Sequence, residues 1–188
     1  MLNQYENKLH AAYLGDSLYM ILRFNENTSL FELNFKSEDQ FHKFNQPYQV
    51  GTNGDSPHDA ITNTHNIQHK DVIIVATDGL WDNLYDDDII QFINKSQNEG
   101  FIEDYNEIAC NLAKKAELNS YDEHYSSPFS AKAKEFGINY IGGKIDDITI
   151  VVSQITAVIS FSESSTKDNE SFYSNKESNP ILESDCKF

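Results

Sequence analysis

Positively charged residues are scarce in this sequence. Its 188 residues include 14 lysines and arginines against 30 aspartates and glutamates, which gives a formal net charge of −16, and Arg23 is the only arginine. Nucleic-acid binding depends on clustered lysine and arginine side chains that contact phosphates. The composition therefore argues against nucleic acid as a partner, and it makes a phosphate clamp built from arginines hard to assemble.

Long apolar runs and cysteines are also rare. The apolar stretches have the length of single strands and fall short of the roughly 18–20 residues of a membrane-spanning helix. The first residues form neither a basic leader nor an apolar signal core. Cys110 and Cys186 are too few for a framework of several disulfides. We expect an intracellular protein without a membrane span, and the 39% hydrophobic content is enough to build one folded domain.

Hydrophobic patterning predicts the strands. Apolar runs at residues 9–14 and 18–24 flank Gly15-Asp16-Ser17, which is typical of a hairpin turn. Residues 29–35 alternate apolar and polar side chains and predict a third strand. Two further strands are predicted from β-branched runs, at residues 71–77 and 147–155.

The helices are predicted between the last two strands. Apolar residues at helical spacing indicate helices over residues 86–98 and 103–118. Ser127-Pro128 and Gly137 predict the start and the end of a third helix, since a capping serine, a first-turn proline and a terminal glycine favour those positions. Strands followed by helices and a final strand indicate an α+β fold with a largely antiparallel sheet.

Two segments show neither pattern. Residues 36–70 are polar and too long for an ordinary connection, so we expect a flexible flap with a functional role. Residues 160–188 are rich in serine, asparagine and glutamate, which predicts a disordered tail. The folded domain is therefore expected to occupy residues 1–159.

Acidic residues recur where predicted strands end. Asp16 follows Gly15, Asp78 precedes Gly79, and Asp146-Asp147 lies before the last strand. Each position alone is better explained as a tight turn than as part of a site. Together, carboxylates at strand ends can converge on one edge of a sheet, where they repel one another unless a cation neutralises them. Oxygen ligands favour Mg²⁺ or Mn²⁺ over zinc.

These acidic positions belong to longer stretches in a fixed order: Ala12-Tyr13-Leu14-Gly15-Asp16-Ser17, Gln46-Pro47-Tyr48-Gln49, Asp71 to Asn83, Ser127-Pro128-Phe129 and Gly142 to Thr149. In these stretches the sequence resembles the metal-dependent serine/threonine protein phosphatases of type 2C, the PPM family. It looks most like the compact branch that is related to bacterial SpoIIE-like phosphatases and is found in eukaryotic organelles. The resemblance covers about residues 10 to 155 and leaves the tail outside.

The resemblance implies an α/β/β/α sandwich with Mg²⁺ or Mn²⁺ ions at one edge of its paired sheets. Asp78 and Asp146 match metal ligands of that family, and Asp16 matches a ligand of a weaker third ion. Asp147 and Gly79 match supporting positions. The implied reaction is hydrolysis of phosphoserine or phosphothreonine in a phosphoprotein substrate. Water activated by two metal ions about 3.5–4 Å apart attacks the phosphate directly, without a phosphoenzyme.

The sequence departs from the family at its start. Family members begin with strands that carry an acidic residue, an arginine that helps to hold phosphate, and an Asp-Gly whose carboxylate bridges the two ions. This chain opens shortly before Gly15-Asp16-Ser17, and Arg23 follows that motif and does not match the family arginine. We therefore expect residues 1–159 to be the C-terminal portion of a phosphatase-like catalytic domain, a fragment that lacks the N-terminal strands and binds metal weakly by itself.

Two functions stay open at this point. The first is a protein phosphatase, and the alternative is a non-catalytic phosphatase-like module that binds partners through the flap and the acidic surface. The presence of both Asp78 and Asp146 favours the enzyme. The related branch includes organelle proteins, so the mitochondrion and other organelles are candidate locations.

Overall fold

Nine strands and four helices make up the part of the chain that the structure describes, which is residues 1–98 and 104–157 of a computed structural model. The strands are β1 Leu2–Asn3, β2 Lys8–Tyr13, β3 Leu18–Asn25, β4 Leu30–Lys36, β5 Phe41–Lys43, β6 Gln46–Pro47, β7 Ile61–Asn66, β8 Val72–Ala76 and β9 Ile150–Gln154. The helices are α1 Asp78–Trp81, α2 Asp86–Asn98, α3 Tyr105–Ser120 and α4 Pro128–Glu135. The predicted α+β class is confirmed, and the predicted tail at residues 160–188 lies outside the described residues.

The two larger sheets are antiparallel. One has four strands in the order β4-β3-β8-β9, and the other has three strands in the order β1-β2-β7. Strands β5 and β6 form a separate two-stranded ribbon. In the four-stranded sheet, β8 is an inner strand that pairs with β3 on one side and β9 on the other.

The predicted hairpin between β2 and β3 is wrong. Strand β2 pairs with β7, whereas β3 pairs with β4 and β8, so the Gly15-Asp16-Ser17 turn carries the chain from one sheet to the other. The backbone groups of Gly15 bond to Gln40: its carbonyl accepts the Gln40 N–H at 2.9 Å, and its own N–H donates to the Gln40 side chain at 3.3 Å. Gly15 has φ +97°, which a glycine adopts without strain.

The segment at residues 36–70 contains more regular structure than the sequence predicts. It holds β5, β6 and β7, and a short 3₁₀ helix at Pro57–Asp59. Strand β7 reads Ile-Thr-Asn-Thr-His-Asn and is mostly polar, so its hydrophobic pattern does not reveal a strand. Its six residues all pair with β2, and this distant partner, rather than local preference, makes the strand.

The hydrophobic core lies between the four-stranded sheet and helices α2 and α3. Alternate residues of the inner strands face the helices, because successive side chains of a strand point to opposite faces. They pack with buried residues of the helices in one cluster that includes Met20, Leu22, Val72, Ile74, Ile89, Ile93 and Leu112. None of the helices in the described ranges is long and apolar enough to cross a membrane.

The opposite face of the four-stranded sheet meets the three-stranded sheet. Tyr19 of β3 reaches across, and its hydroxyl lies 2.8 Å from Nε2 of His65 on β7. The layers are therefore sheet, sheet and helices, which corresponds to three of the four layers of the predicted sandwich. The far end of this face is open, since the cross-strand pair Val75 and Val151 is exposed.

Candidate metal centre

The end of β8 and the loop before β9 are fastened together by Thr77. The Thr77 N–H donates to the carbonyl of Thr149 at 3.1 Å. Its hydroxyl donates to the carbonyl of Asp147 at 3.0 Å and accepts the N–H of Thr149 at 3.0 Å. Helix α1 begins at the next residue, Asp78. These bonds place the start of α1 beside the loop that carries Asp146 and Asp147.

Gly79 allows this close approach. A Cβ atom at Gly79 would lie 2.6 Å from the carbonyl oxygen of Asp147, which is too short for any side chain, so a larger residue would push the loop away from α1. Thr77, Asp78 and Gly79 are adjacent in sequence, so one short segment both holds the loop and supplies an acidic side chain.

Asn83 fixes the backbone of Lys144 in the same loop. Its side-chain oxygen accepts the Lys144 N–H at 2.9 Å, and its amide nitrogen donates to the carbonyls of Lys144 at 2.8 Å and Gly79 at 3.0 Å. The Asn83 side chain is fully buried. A buried amide with all these partners is a strong constraint, because leaving any of them unpaired costs free energy. Asn83 therefore sets where the Lys144 side chain begins.

The ammonium group of Lys144 gathers three carboxylates. Its Nζ lies 2.6 Å from Asp78 Oδ2, 2.8 Å from Asp82 Oδ2 and 2.9 Å from Asp146 Oδ2. We call Asp78, Asp82 and Asp146 the carboxylate cluster. Three acids face one lysine, so the cluster keeps a surplus of negative charge while its oxygens converge on a single cationic atom.

Burial and charge shift the pKa values of Asp82, Asp146 and Lys144. Burial raises the pKa of Asp82 to about 6, against the opposing effect of its bond with Lys144. Burial also acts to raise the pKa of Asp146, but the hydrogen bonds from Lys144 and from the Asp147 N–H outweigh it and lower that pKa. For Lys144, burial acts to lower the pKa, and its bonds with the three carboxylates raise it instead.

Asp16 lies next to this cluster. Its pKa is raised by burial first and then by the negative charge of Asp78. Asp16 and Asp82 line one cavity together with residues of the β5–β6 segment and of α4; the other lining residues are Asp39, Phe41, Phe44, Asn45, Gln46, Pro47, Phe129 and Lys132. The predicted flap therefore contributes a wall to a cavity that two acids of the site also line.

Comparisons with known proteins find similar sequences and a similar solved structure. Residues 39–121 match the family model described as protein phosphatase 2C. The protein phosphatase PTC7 homolog of Xenopus laevis is 36% identical over 162 residues, which cover 81% of this chain and 52% of the relative. The probable protein phosphatase 2C 80 of Arabidopsis thaliana is 39% identical over 151 residues, 79% of this chain and 34% of that protein.

A solved structure is similar as well. The X-ray structure of the photosystem II phosphatase PBCP matches with a TM-score of 0.70 and 30% identity, over 84% of this chain and 62% of that one. Over most of its length the chain is thus similar to proteins described as protein phosphatases of type 2C and to PTC7 homologs. It spans about half the length of the PTC7 homologs that it matches, for example 52% of the Xenopus laevis protein.

The acids predicted from the 2C-type motifs differ in how the structure places them. Asp78 and Asp146 converge on Lys144, as expected for residues of one site. Asp16 lies beside them, on the shared cavity. Asp147 is exposed, and its main chain makes the contacts: its carbonyl faces Thr77 and Gly79, and its N–H donates to Asp146 Oδ1 at 2.9 Å. Their roles toward metal stay predictions.

Two residues of the site were not predicted from the sequence. Asp82 lies four residues after Asp78, a spacing that places two side chains on the same side of a helical turn. Lys144 stands two residues before Asp146. The first could have been found from its spacing. The second could not, because its role depends on contacts between segments more than sixty residues apart.

The donor set fits a hard divalent cation by its chemistry. All side-chain acceptors of the cluster are carboxylate oxygens, the ligands that Mg²⁺ and Mn²⁺ favour. The ammonium of Lys144 already occupies the position among these oxygens that a metal ion would take. Within residues 1–97 and 104–157, no group of three or more histidine, cysteine, aspartate or glutamate side chains is arranged to hold an ion. A metal would thus have to replace the ammonium of Lys144.

Proposed function

We propose that this chain forms part of the active site of a Mg²⁺- or Mn²⁺-dependent protein serine/threonine phosphatase. The observation that carries the proposal is the convergence of Asp78 and Asp146 on one cationic atom. Similarity to the protein phosphatase 2C family model supports it, and so do the names of the relatives from frog and plant. Because the chain spans about half of such relatives, the activity of the whole protein is part of the proposal.

The residues of the chain have distinct tasks in this proposal. Asp78 and Asp146 hold divalent ions, with Asp82 and Asp16 as further oxygen donors at the same edge. A bound divalent ion supplies Lewis acidity toward water and toward the oxygens of the phosphate. Thr77 and Asn83 keep the two ligand-bearing segments together through their hydrogen bonds, so that the carboxylates keep their relative positions.

Substrate choice is proposed to depend on the cavity beside the cluster. Phe41 and Phe44 of the β5–β6 segment and Phe129 of α4 line it, and the rings of Phe44 and Phe129 pack together with their centroids 5.0 Å apart. The cavity has both apolar walls and acidic groups, so it can contact residues that flank a phosphorylated side chain. The flap predicted from the sequence would thus contribute Phe41 and Phe44 to substrate contacts.

The test is phosphate release from phosphoserine and phosphothreonine peptides, with and without Mn²⁺. It should use the chain and any longer protein encoded at the same locus. We expect Asp78→Asn and Asp146→Asn each to lower the metal-dependent rate by at least about 10²-fold, since metal-assisted stabilisation of the transition state is lost. Asp87→Asn, at an exposed position at the start of α2, is the matched control and should keep the rate. Near-normal turnover by either cluster variant would refute the ligand assignment.

A further inference from the structure

The position of the Lys144 ammonium is unusual for a lysine. The group lies among three carboxylate oxygens at 2.6, 2.8 and 2.9 Å, which matches the three N–H donors of an ammonium with three acceptors. The side chain is only 17% exposed. Surface ion pairs stay in contact with water and are screened by salt, so a mostly buried ammonium with three carboxylate acceptors is better described as an internal cation than as a surface ion pair.

The surroundings hold Lys144 in this place. Asn83 binds both the N–H and the carbonyl of Lys144, which fixes the backbone from which the side chain extends. The ring of Phe129 covers the ammonium, with 5.3 Å from Nζ to the ring centroid. Packing and hydrogen bonding therefore define the position of the charge before any ligand arrives.

The charges define what the cluster can accept. Three carboxylates that share one point repel each other strongly at low effective dielectric, and a single ammonium offsets only part of that repulsion. A divalent ion in the same place would offset more. It needs the same carboxylate oxygens, so the ammonium and the ion exclude each other.

We propose that Lys144 is a built-in counter-cation that competes with the divalent metal ion for Asp78, Asp82 and Asp146. The inference rests on the proposed function, since it concerns the same metal site. In the metal-free protein Lys144 holds the carboxylates together. Metal binding requires the ammonium to move away, so Lys144 lowers the affinity for metal and stabilises the empty site.

The decisive experiment compares Lys144→Met with the unaltered protein in two measurements. The first is calorimetric titration with Mn²⁺, and the second is thermal unfolding in the presence of a chelator. We expect the variant to bind Mn²⁺ at least about tenfold more tightly, because a competing unit charge is gone. We also expect it to unfold at a lower temperature without metal, and Mn²⁺ to raise that temperature more than in the unaltered protein.

Lys36→Met is the matched control. Lys36 is also a partly buried lysine, and it pairs with Asp86 at 2.5 Å at the start of α2. Its loss should lower the unfolding temperature and leave Mn²⁺ affinity unchanged. Lys144→Gln, which keeps a polar side chain, repeats the test if Lys144→Met does not fold, and it should bind Mn²⁺ more tightly too.

Equal or weaker Mn²⁺ binding by the Lys144 variants overturns the proposal, and so does a lack of Mn²⁺ binding by both the variants and the unaltered protein. These readings do not depend on turnover. The proposed function would fail differently, through phosphate release that persists in Asp78→Asn and Asp146→Asn.

Discussion

The charged groups at the two ends of β8 differ in how completely their charges are balanced. Asp71 precedes the strand, and its side chain is 1% exposed. Arg23 donates to both of its oxygens, at 3.0 Å from Nε and 2.7 Å from Nη2, and the N–H of Gln68 adds a third bond at 2.8 Å. At the other end, about 17 Å along the five-residue strand, the carboxylate cluster shares the single ammonium of Lys144.

The difference separates a structural charge from one that is available to a ligand. At the first end each charge has one partner of opposite sign, and Arg23 also donates to the carbonyl of Asn66, which joins the two sheets. At the second end acids outnumber the lysine, so a cation can still be gained. The only arginine thus stabilises the fold and lies away from the carboxylate cluster.

Removing Arg23 should have the largest effect on stability. Arg23→Met leaves Asp71 buried without its counter-charge, so we expect the free energy of unfolding to fall by about 3–5 kcal/mol. Urea-induced unfolding measures this change. Mn²⁺ affinity should not change in the fraction that folds, because Asp71 lies at the other end of β8.

The control for this variant is Lys8→Met. Lys8 pairs with Glu6 at 3.0 Å on the surface, so its loss should change stability by less than about 0.5 kcal/mol. The double variant Arg23→Met/Asp71→Asn should recover part of the loss, since no unpaired charge stays buried. If Arg23→Met unfolds like the unaltered protein, the pair is not structural and the comparison between the two ends fails.

Asp82 gives the next largest effect, and it depends on pH. Its pKa is about 6 in the folded chain against an ordinary value of 3.8, so folding disfavours its ionised form. The stability that this group contributes is complete below pH 3.8 and is lost as the pH rises through about 6.

Asp82→Asn should abolish that loss. Between pH 4 and pH 7 in chelator, the variant should gain on the order of 1–3 kcal/mol relative to the unaltered protein. Chemical unfolding at a series of pH values measures the difference between the two curves. Parallel curves would show that Asp82 is ionised in the folded chain without penalty, which would contradict the raised pKa.

Local pattern was enough to predict several elements. Strand β8 is rich in β-branched residues, and helix α2 begins with three aspartates, which favour a helix N-terminus, so both lie where the sequence predicts them. The convergence of Asp78 and Asp146 was also expected, because motifs at strand ends can meet at one edge. These features need only nearby residues or a known motif order.

The remaining features depend on partners far away in sequence. Strand β7 exists because it pairs with β2, and the turn at Gly15 is held by Gln40 rather than by hairpin pairing. Lys144 gains its role from Asn83, which fixes it from another segment. Propensity and spacing describe one segment at a time, so they identified Asp78 and Asp146 but not the cation that joins them.

Substitution of Asp147 should give the smallest effect, which would place Asp147 outside the carboxylate cluster. Its side chain is exposed, and its contacts come from the backbone, whose carbonyl accepts a bond from Thr77 and whose N–H donates to Asp146. Asp147→Asn keeps these bonds and removes one screened charge. We expect stability within about 0.5 kcal/mol of the unaltered protein and Mn²⁺ affinity within about threefold.

Gly79→Ala is the informative partner for that variant, because it acts on the backbone of Asp147 and leaves its charge. The added methyl would lie 2.6 Å from the Asp147 carbonyl oxygen, so the loop must shift, and we expect a loss of about 1–3 kcal/mol together with weaker Mn²⁺ binding. Unfolding and calorimetry on both variants separate charge from position. Mn²⁺ binding that falls as far in Asp147→Asn as in Asp146→Asn would make Asp147 a direct ligand, and the carboxylate cluster would then extend to the exposed side of the loop.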